Sequence, residues 1–260
     1  MKAPAHQTKA PAVFYTRFAD EGQLPPDLSA FACVYLPLHT PAPKLKALVQ
    51  TGAPIAVEIP RGLFGRESAV RASLKAAKQA GVTTALAHTL GAVRMAREAG
   101  FLIHGGFGLN LFNTQALEQA ASIGLSQATL SFELTLAQAS ALGGEMPRGL
   151  IAYGSIPLML TRNCPIANGK PCRSCGKDGV LTDRKGVRFP VSCMDGCSEL
   201  FNSRPIYLAD RLVEIQKIDF LLLYFTHETP EQCSEILTQY QNGTAPNGAY
   251  TRGLYFRGVE

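Results

Sequence analysis

The sequence lacks the segments that direct a protein into or across a membrane. The first twelve residues, MKAPAHQTKAPA, contain no apolar run of the kind that marks a secretory signal. Solid apolar runs such as FLLLYF at 220–225 are far shorter than the ~18 residues that a spanning helix needs. We therefore expect a cytoplasmic protein with no membrane span.

Standard catalytic motifs are missing as well. The chain has no His-Glu-x-x-His zinc helix, no Gly-x-Ser-x-Gly elbow and no evident Cys–His nucleophile pair. No Gly-rich phosphate turn follows the first expected strand, which weakens the case for an open doubly wound sheet. Because no low-complexity linker divides the chain either, we expect one domain over residues 1–260.

The feature that stands out among what is present is a cluster of cysteines in a basic segment. Five of the seven cysteines lie between residues 164 and 197, namely Cys164, Cys172, Cys175, Cys193 and Cys197. Residues 162–188 contain seven basic and two acidic side chains, a net charge of +5 that equals the charge of the whole chain. In a reducing cytosol, clustered thiols are metal ligands more often than disulfides.

Short β-branched or aromatic runs alternate with longer segments of helical period, which is typical of parallel strands joined by helices. Eight strands are expected, at 13–18, 33–38, 55–60, 83–88, 102–105, 128–133, 150–154 and 220–226. Seven helices are expected, at 43–50, 67–80, 90–99, 113–123, 135–142, 207–216 and 230–240. This number of elements predicts an α/β fold, a (β/α)8 TIM-like barrel.

One connection is far longer than the others. Residues 155–205 follow the seventh expected strand, where a strand-to-helix loop normally has ~2 to 6 residues. In a barrel this insert emerges at the C-terminal face, where active sites lie. The insert also contains the five clustered cysteines, so we interpret it as a metal-binding segment.

The spacing of the cysteines leaves two kinds of metal site open. Cys172-x2-Cys175 and Cys193-x3-Cys197 flank residues 180–191, which alternate like a hairpin, and this arrangement would suit a zinc ribbon. Cys164 is a fifth thiol, and an all-cysteine set of soft ligands favours an iron-sulfur cluster over zinc.

Several segments resemble peptidase family U32, the collagenase-like family. They are YGSIPLMLTRNCP at 153–165, LTDRKG at 181–186, FPV at 189–191, NSRPIYL at 202–208 and TRGLYFRGV at 251–259. The resemblance implies a TIM-like barrel and a [4Fe-4S] cluster on the cysteines of the insert. It also implies oxygen-independent hydroxylation of an RNA base or a quinone-type aromatic molecule, with a partner subunit of the same family.

The resemblance also implies a ligand order. Cys164 matches the first cluster cysteine, Cys172 and Cys175 match the next pair, and the fourth is Cys193 or Cys197, with Cys193 preferred. Beside the first of these, Arg162 is the expected cofactor-binding side chain.

Polar residues at the carboxyl ends of barrel strands are the expected substrate contacts. The expected catalytic residues are Glu58, Arg61, His104, Asn110, Glu133 and Tyr153, and the neighbouring polar residues are Arg17, His88, Asn113, Thr226 and His227. Burial could raise the pKa of Glu58 or Glu133 toward that of a useful base. The alternative is structural pairing, for example of Glu58 with Arg61 or Arg17, and for His104 a hydrogen-bonded core position.

Three functions therefore remain in competition. The first is an iron-sulfur enzyme or subunit of the hydroxylation type. The second is a metal-dependent peptidase. The third is a structural zinc ribbon on a non-catalytic RNA-binding barrel, because the seven basic residues of the insert could contact phosphates.

Overall fold

In this computed structural model, residues 6–7, 12–167, 178–194 and 196–258 are described, and eight parallel strands form a closed barrel. The barrel strands are β1 (Val13–Arg17), β2 (Cys33–Pro37), β3 (Ile55–Glu58), β4 (Thr84–Ala87), β5 (Leu102–Gly105), β6 (Leu125–Thr129), β7 (Arg148–Gly154) and, after four strands of the insert and one short strand, β13 (Phe220–Tyr224). Closure comes from β1, which pairs in parallel with both β2 and β13. The predicted TIM-like α/β barrel is confirmed.

Six of the seven predicted helices are α-helices. They are α1 (Ala42–Gln50), α2 (Glu67–Gln79), α3 (Leu90–Glu98), α4 (Thr114–Ser122), α5 (Leu136–Ala141) and α6 (Pro230–Asn242). The prediction for 207–216 is wrong in type, because Ala209–Glu214 forms a 3-10 helix. Among the described residues, no helix is both long enough and apolar enough to cross a membrane.

Local signals explain where the helices start. Thr89, Asn113, Thr135 and Thr229 each stand at an N-cap, and each side chain accepts a hydrogen bond from a backbone N–H of the first turn. Asn113, which the sequence placed among the polar residues of the mouth, accepts from the N–H of Ala116 at 2.8 Å. Asn113 therefore caps the N-terminus of α4.

Side chains alternate between the inside and the outside of the barrel wall. On β1, Tyr15 points inward and stacks on Phe220 with ring centres 4.3 Å apart, whereas Phe14 packs outward against α6. One step further along the strands, Arg17 points inward and lies over the ring of Tyr224. Since Arg17 and Tyr224 are the last residues of their strands, this inner layer forms the C-terminal mouth of the barrel.

The insert forms a second, antiparallel sheet. Its strands are β8 (Pro157–Thr161), β9 (Asp178–Thr182), β10 (Arg188–Met194) and β11 (Cys197–Phe201), in the spatial order β8-β11-β10-β9. The predicted hairpin over 180–191 is confirmed as the β9–β10 pair. A short strand, β12 (Ile206–Tyr207), then returns antiparallel to β7. This insert sheet covers the barrel mouth, because Leu160 and Glu199 line a cavity together with Arg17 and Glu58.

Candidate functional site

A buried triad of Arg17, Glu58 and His88 forms the floor of the barrel mouth. The Nε of Arg17 donates to Oε2 of Glu58 at 2.7 Å, and Nε2 of His88 lies 2.9 Å from Oε1. The N–H of Gly108 points at Nδ1 of His88 at 3.4 Å, which makes Nε2 the donor toward Glu58. Both carboxylate oxygens of Glu58 are therefore engaged by donors.

These donors decide the protonation state of Glu58. Burial alone would raise its pKa, but the charge of Arg17 and the hydrogen bond from His88 outweigh burial and lower the pKa to about 2. The expectation that desolvation makes Glu58 a useful base is wrong. The alternative of structural pairing is what the structure shows, with Arg17 as the partner.

The upper part of the mouth contains groups that sequence reasoning missed. Nη1 of Arg61 donates to Oε1 of Glu199 at 3.0 Å, and the Arg61 guanidinium lies 4.8 Å from the ring centre of Phe107. Glu199 Oε2 and the Tyr224 hydroxyl are buried and have no hydrogen-bond partner within the described part of the chain. The sequence signal for Glu199 is the run CSELF at 197–201. On a strand this run places Cys197, Glu199 and Phe201 on one face of β11.

These groups surround a small cavity between the barrel and the insert sheet. Arg17, Glu58, Arg61, Cys197 and Glu199 all line it. Its volume of about 30 Å³ has room for about two water-sized groups. Among the described residues that line it, two guanidinium groups are paired with two carboxylates.

Three of the expected catalytic residues lie away from this cavity. Glu133 is exposed and lies beyond β6, which ends at Thr129, so the prediction of an embedded strand carboxylate at 128–133 is wrong. Asn110 is exposed and takes a left-handed conformation (φ 49°) that ends a short 3-10 turn. Tyr153 faces β12 and α6, where its hydroxyl donates to Oε1 of Glu228 at 3.0 Å.

The two polar residues after β13 belong to the same outer region as Tyr153. Thr226 is buried, and its N–H donates to Oε2 of Glu228 at 2.6 Å. His227 is exposed and its ring meets the edge of Phe201. Both residues therefore help to hold the strand end rather than to line the cavity.

His104 lies deeper in the barrel, in the layer below the mouth. Its Nδ1 is 2.8 Å from the Tyr35 hydroxyl and 3.2 Å from the Gln127 amide, and desolvation lowers its pKa to about 4. This is the hydrogen-bonded core position that the sequence left as an alternative. The nearby Gly106 makes room for the imidazole of His88, since a Cβ there would lie 2.2 Å from Nδ1.

Cys164 and Cys193 come together on the outer face of the insert sheet, although 29 residues separate them. The N–H of Ile166 lowers the pKa of the Cys164 thiol, helped by the N–H of Ala167 and by hydrogen bonds to the side chains of Ser198 and Cys193. Sγ of Cys193 lies 3.3 Å from the Ser198 hydroxyl. Both thiols are partly exposed.

Cys197 lies on the opposite face. Cys193 pairs with Ser198 across β10 and β11, whereas Cys197 is one residue earlier and points to the barrel mouth. Its side chain is buried against Gly62, where an added Cβ would lie 2.7 Å from Sγ.

Cys172 and Cys175 lie outside the described residues. Over 6–7, 12–167, 178–194 and 196–258, no three His, Cys, Asp or Glu side chains are grouped so that they could hold a metal ion. Two thiols that lie close together, of which Cys164 has backbone N–H donors that stabilise thiolate charge, fit half of a four-thiolate set. Arg162 is exposed, with its guanidinium 5.4 Å from the ring centre of Phe64.

Comparison with known proteins finds similar solved structures. The structure of the U32 peptidase Mk0906 has a TM-score of 0.52 and 11% identity, over 86% of this chain and 96% of that chain. The chitinase ChiW from Paenibacillus sp. str. FPU-7 has a TM-score of 0.42 and 9% identity, over 90% of this chain and 32% of that chain. Catalytic domain 2 of the Ostrinia furnacalis Group II chitinase has a TM-score of 0.43 and 9% identity, over 91% and 98%. No family model and no curated protein matches the chain.

The likeness to Mk0906 spans nearly the whole of both chains. At such low sequence identity it concerns the fold. This chain therefore has the barrel fold of a U32 peptidase structure, as the resemblance of its motifs implied.

Proposed function

We propose that the chain is an iron-sulfur protein with a [4Fe-4S] cluster on the outer face of the insert sheet. The observation that carries the proposal is the convergence of Cys164 and Cys193, which share Ser198 as a neighbour. Cys172 and Cys175 would supply the remaining thiolates. Such a cluster, when bound, supplies one-electron transfer.

The geometry around Cys164 supports this assignment. A thiolate needs compensation for its charge, and the N–H groups of Ile166 and Ala167 provide it. Ile166 in turn packs against Gly179 of β9, where an added Cβ would lie 2.6 Å from its side chain. The loop that presents Cys164 is thus held against the sheet that presents Cys193.

Metal analysis of the full chain, purified without oxygen, tests the proposal. We expect a brown protein with about four iron atoms per chain and an electron paramagnetic resonance signal after reduction. A colourless protein that holds one zinc ion after attempted cluster reconstitution would contradict it. That result would favour the zinc ribbon instead.

The proposed reaction is oxygen-independent hydroxylation of an RNA base rather than of a quinone-type molecule. The tip of the β9–β10 hairpin favours RNA, because Arg184, Lys185 and Arg188 are all exposed there. Cations of this kind contact phosphates and make affinity depend on salt.

RNA binding can be measured directly. Replacing Arg184 and Lys185 by alanine should weaken RNA binding and reduce the slope of log affinity against log salt by about 2. Exposed lysines on α2, such as Lys75, offer a matched control that should leave the slope unchanged. Absence of RNA binding by the wild-type chain at ~50 mM salt would contradict an RNA substrate.

A peptidase is the second candidate, because the structure of similar fold is named a peptidase. Glu58 is a poor base with its low pKa, so Glu199 would have to serve. A protease-free preparation should then cleave gelatin and lose that activity in Glu199→Gln. Cleavage that persists in this variant would point to contamination.

A further inference from the structure

A second cavity opens at the N-terminal end of the barrel, opposite the mouth. It reaches inward from the loops before β3 and β4 to the side chains of Tyr15, Cys33 and His104. Its volume is about 290 Å³, against about 30 Å³ for the cavity at the mouth. This size allows a small organic molecule to enter.

One side of the His104 ring is held by buried partners. The Tyr15 hydroxyl donates to Oε1 of Gln127 at 3.2 Å, and the NH2 group of Gln127 donates to Nδ1 of His104 at 3.2 Å. The Tyr35 hydroxyl lies 2.8 Å from the same Nδ1. Because an amide NH2 group can only donate, Nδ1 is an acceptor and the proton of the neutral ring lies on Nε2.

The Nε2 side of the ring has no such partner. His104 is only 7% exposed, and no hydrogen bond within the described part of the chain involves its Nε2. The described residues that line the cavity include His104 but neither Tyr35 nor Gln127, so the ring meets the cavity on the side away from Nδ1. A buried N–H without a partner is unfavourable, and this one adjoins a space that a ligand could fill.

The chemistry of the cavity wall narrows the class of ligand. Burial raises the pKa of the Cys33 thiol to about 12, and desolvation lowers the pKa of His104 to about 4, so both are uncharged at pH 7. Asp, Glu, Lys and Arg are absent from the described residues of the wall, and Leu102 leaves 52% of its surface exposed there. A charged ligand would lose hydration without gaining a counter-charge, whereas an uncharged and partly apolar one fits.

We infer that this cavity binds a small uncharged molecule through a carbonyl oxygen that accepts a hydrogen bond from Nε2 of His104. The apolar remainder of the molecule packs against Tyr15 and Leu102. Catalytic groups of such barrels lie at the opposite, C-terminal face, so this molecule is a ligand other than the substrate. The inference goes beyond the proposed function, because it depends on neither iron nor RNA.

Four ring compounds of similar size test the class of ligand on the full chain, purified without oxygen. They are cyclohexanone, cyclohexanecarboxylate, cyclohexylammonium and methylenecyclohexane, and ligand-observed NMR titration measures their affinities. We expect cyclohexanone to bind about tenfold or more tightly than each of the others, because it alone combines an acceptor with zero charge. Equal binding of all four compounds, or no binding of cyclohexanone, would overturn the inference.

The histidine gives a second readout in the wild-type chain. With 15N-labelled histidine, NMR at pH 7 should show His104 as a neutral ring with its proton on Nε2, and cyclohexanone should shift this signal. A proton on Nδ1, or a signal that cyclohexanone leaves unchanged, would contradict the assignment of the donor.

Two variants locate the site. His104→Phe keeps a flat ring without the donor, so the affinity for cyclohexanone should fall to that for methylenecyclohexane. Ala32→Leu narrows the cavity from an exposed position of its wall and should weaken cyclohexanone binding about tenfold, even if His104→Phe does not fold. Ala72→Leu, at an exposed position of α2, is the matched control and should change nothing. Equal affinities in Ala32→Leu and Ala72→Leu would place the ligand elsewhere.

Discussion

The two faces of the insert sheet differ in almost every property, although they share strand β11. On the inner face, Cys197 and Glu199 are buried against the barrel mouth. On the outer face, Cys164 and Cys193 are partly exposed and meet at Ser198. The inner face therefore borders a small cavity with paired charges, and the outer face carries two thiols that lie close together.

This difference shows how four residues along a chain can separate two roles. Cys193 and Cys197 look equivalent in a motif, but antiparallel pairing turns their side chains to opposite faces. Cys197 is buried and packs against Gly62, whereas Cys193 is partly exposed and lies beside Ser198 and Cys164.

Replacing each of the two cysteines by serine tests the difference between the two faces most directly. Cys193→Ser should lose nearly all of the about four iron atoms expected per chain, because a cluster ligand is removed. Cys197→Ser, four residues away, should retain them. Iron analysis on anaerobic protein decides, and the reverse result would assign the fourth ligand to the inner face.

The cavity beneath the inner face is lined by the buried ion pair of Arg17 and Glu58. Arg17→Met leaves the Glu58 carboxylate buried without its cation, so the free energy of unfolding should fall by about 3–5 kcal/mol. Arg94→Met, which removes the exposed pair with Glu98, is the matched control and should have little effect. Urea unfolding measures both, and equal effects would show that burial does not distinguish them.

Acid should lower the free energy of unfolding first through His104, which is buried inside the barrel. The pKa of His104 is lowered from 6.5 to about 4, so the unfolded chain takes up a proton that the folded chain refuses. Stability is fully present above pH 6.5 and falls by up to about 3 kcal/mol as pH drops to 4. His104→Gln should remove this slope in unfolding measured at several pH values.

Protonation of Glu58 should extend the loss of folding stability to lower pH. Its pKa is lowered from 4.5 to about 2, so its contribution is present above pH 4.5 and disappears as pH falls to 2. The variant His104→Gln should keep this second phase. If a single phase covers the whole range in the wild type, the two layers do not titrate separately.

The smallest effect is expected at Glu133. This carboxylate is exposed, so Glu133→Gln should change the free energy of unfolding by no more than about 0.5 kcal/mol. Glu58→Gln, at the buried carboxylate, provides the contrast because it leaves Arg17 without an anion. Similar losses in both variants would place Glu133 inside the structure.

Much of the fold could be predicted from the sequence, since strand and helix periods depend on neighbours along the chain. The eight strands, six helices and the β9–β10 hairpin follow from such local patterns. The site was predicted less well. Glu58 and Arg61 do line the mouth, but Glu133 was assigned to a strand that ends earlier, and Glu199 was not considered.

Local sequence patterns therefore specify the barrel and the position of its cysteine-rich, basic insert. The partner of Glu58, the depth of His104 and the faces on which Cys193 and Cys197 lie depend on tertiary contacts. The reason is that barrel closure joins residues from distant strands, such as Arg17 and Glu58, while strand register sets which side each residue faces. Barrel closure and strand register do not depend on local sequence patterns. Together they place Cys193 on the outer face of the insert sheet and Cys197 at the barrel-mouth cavity.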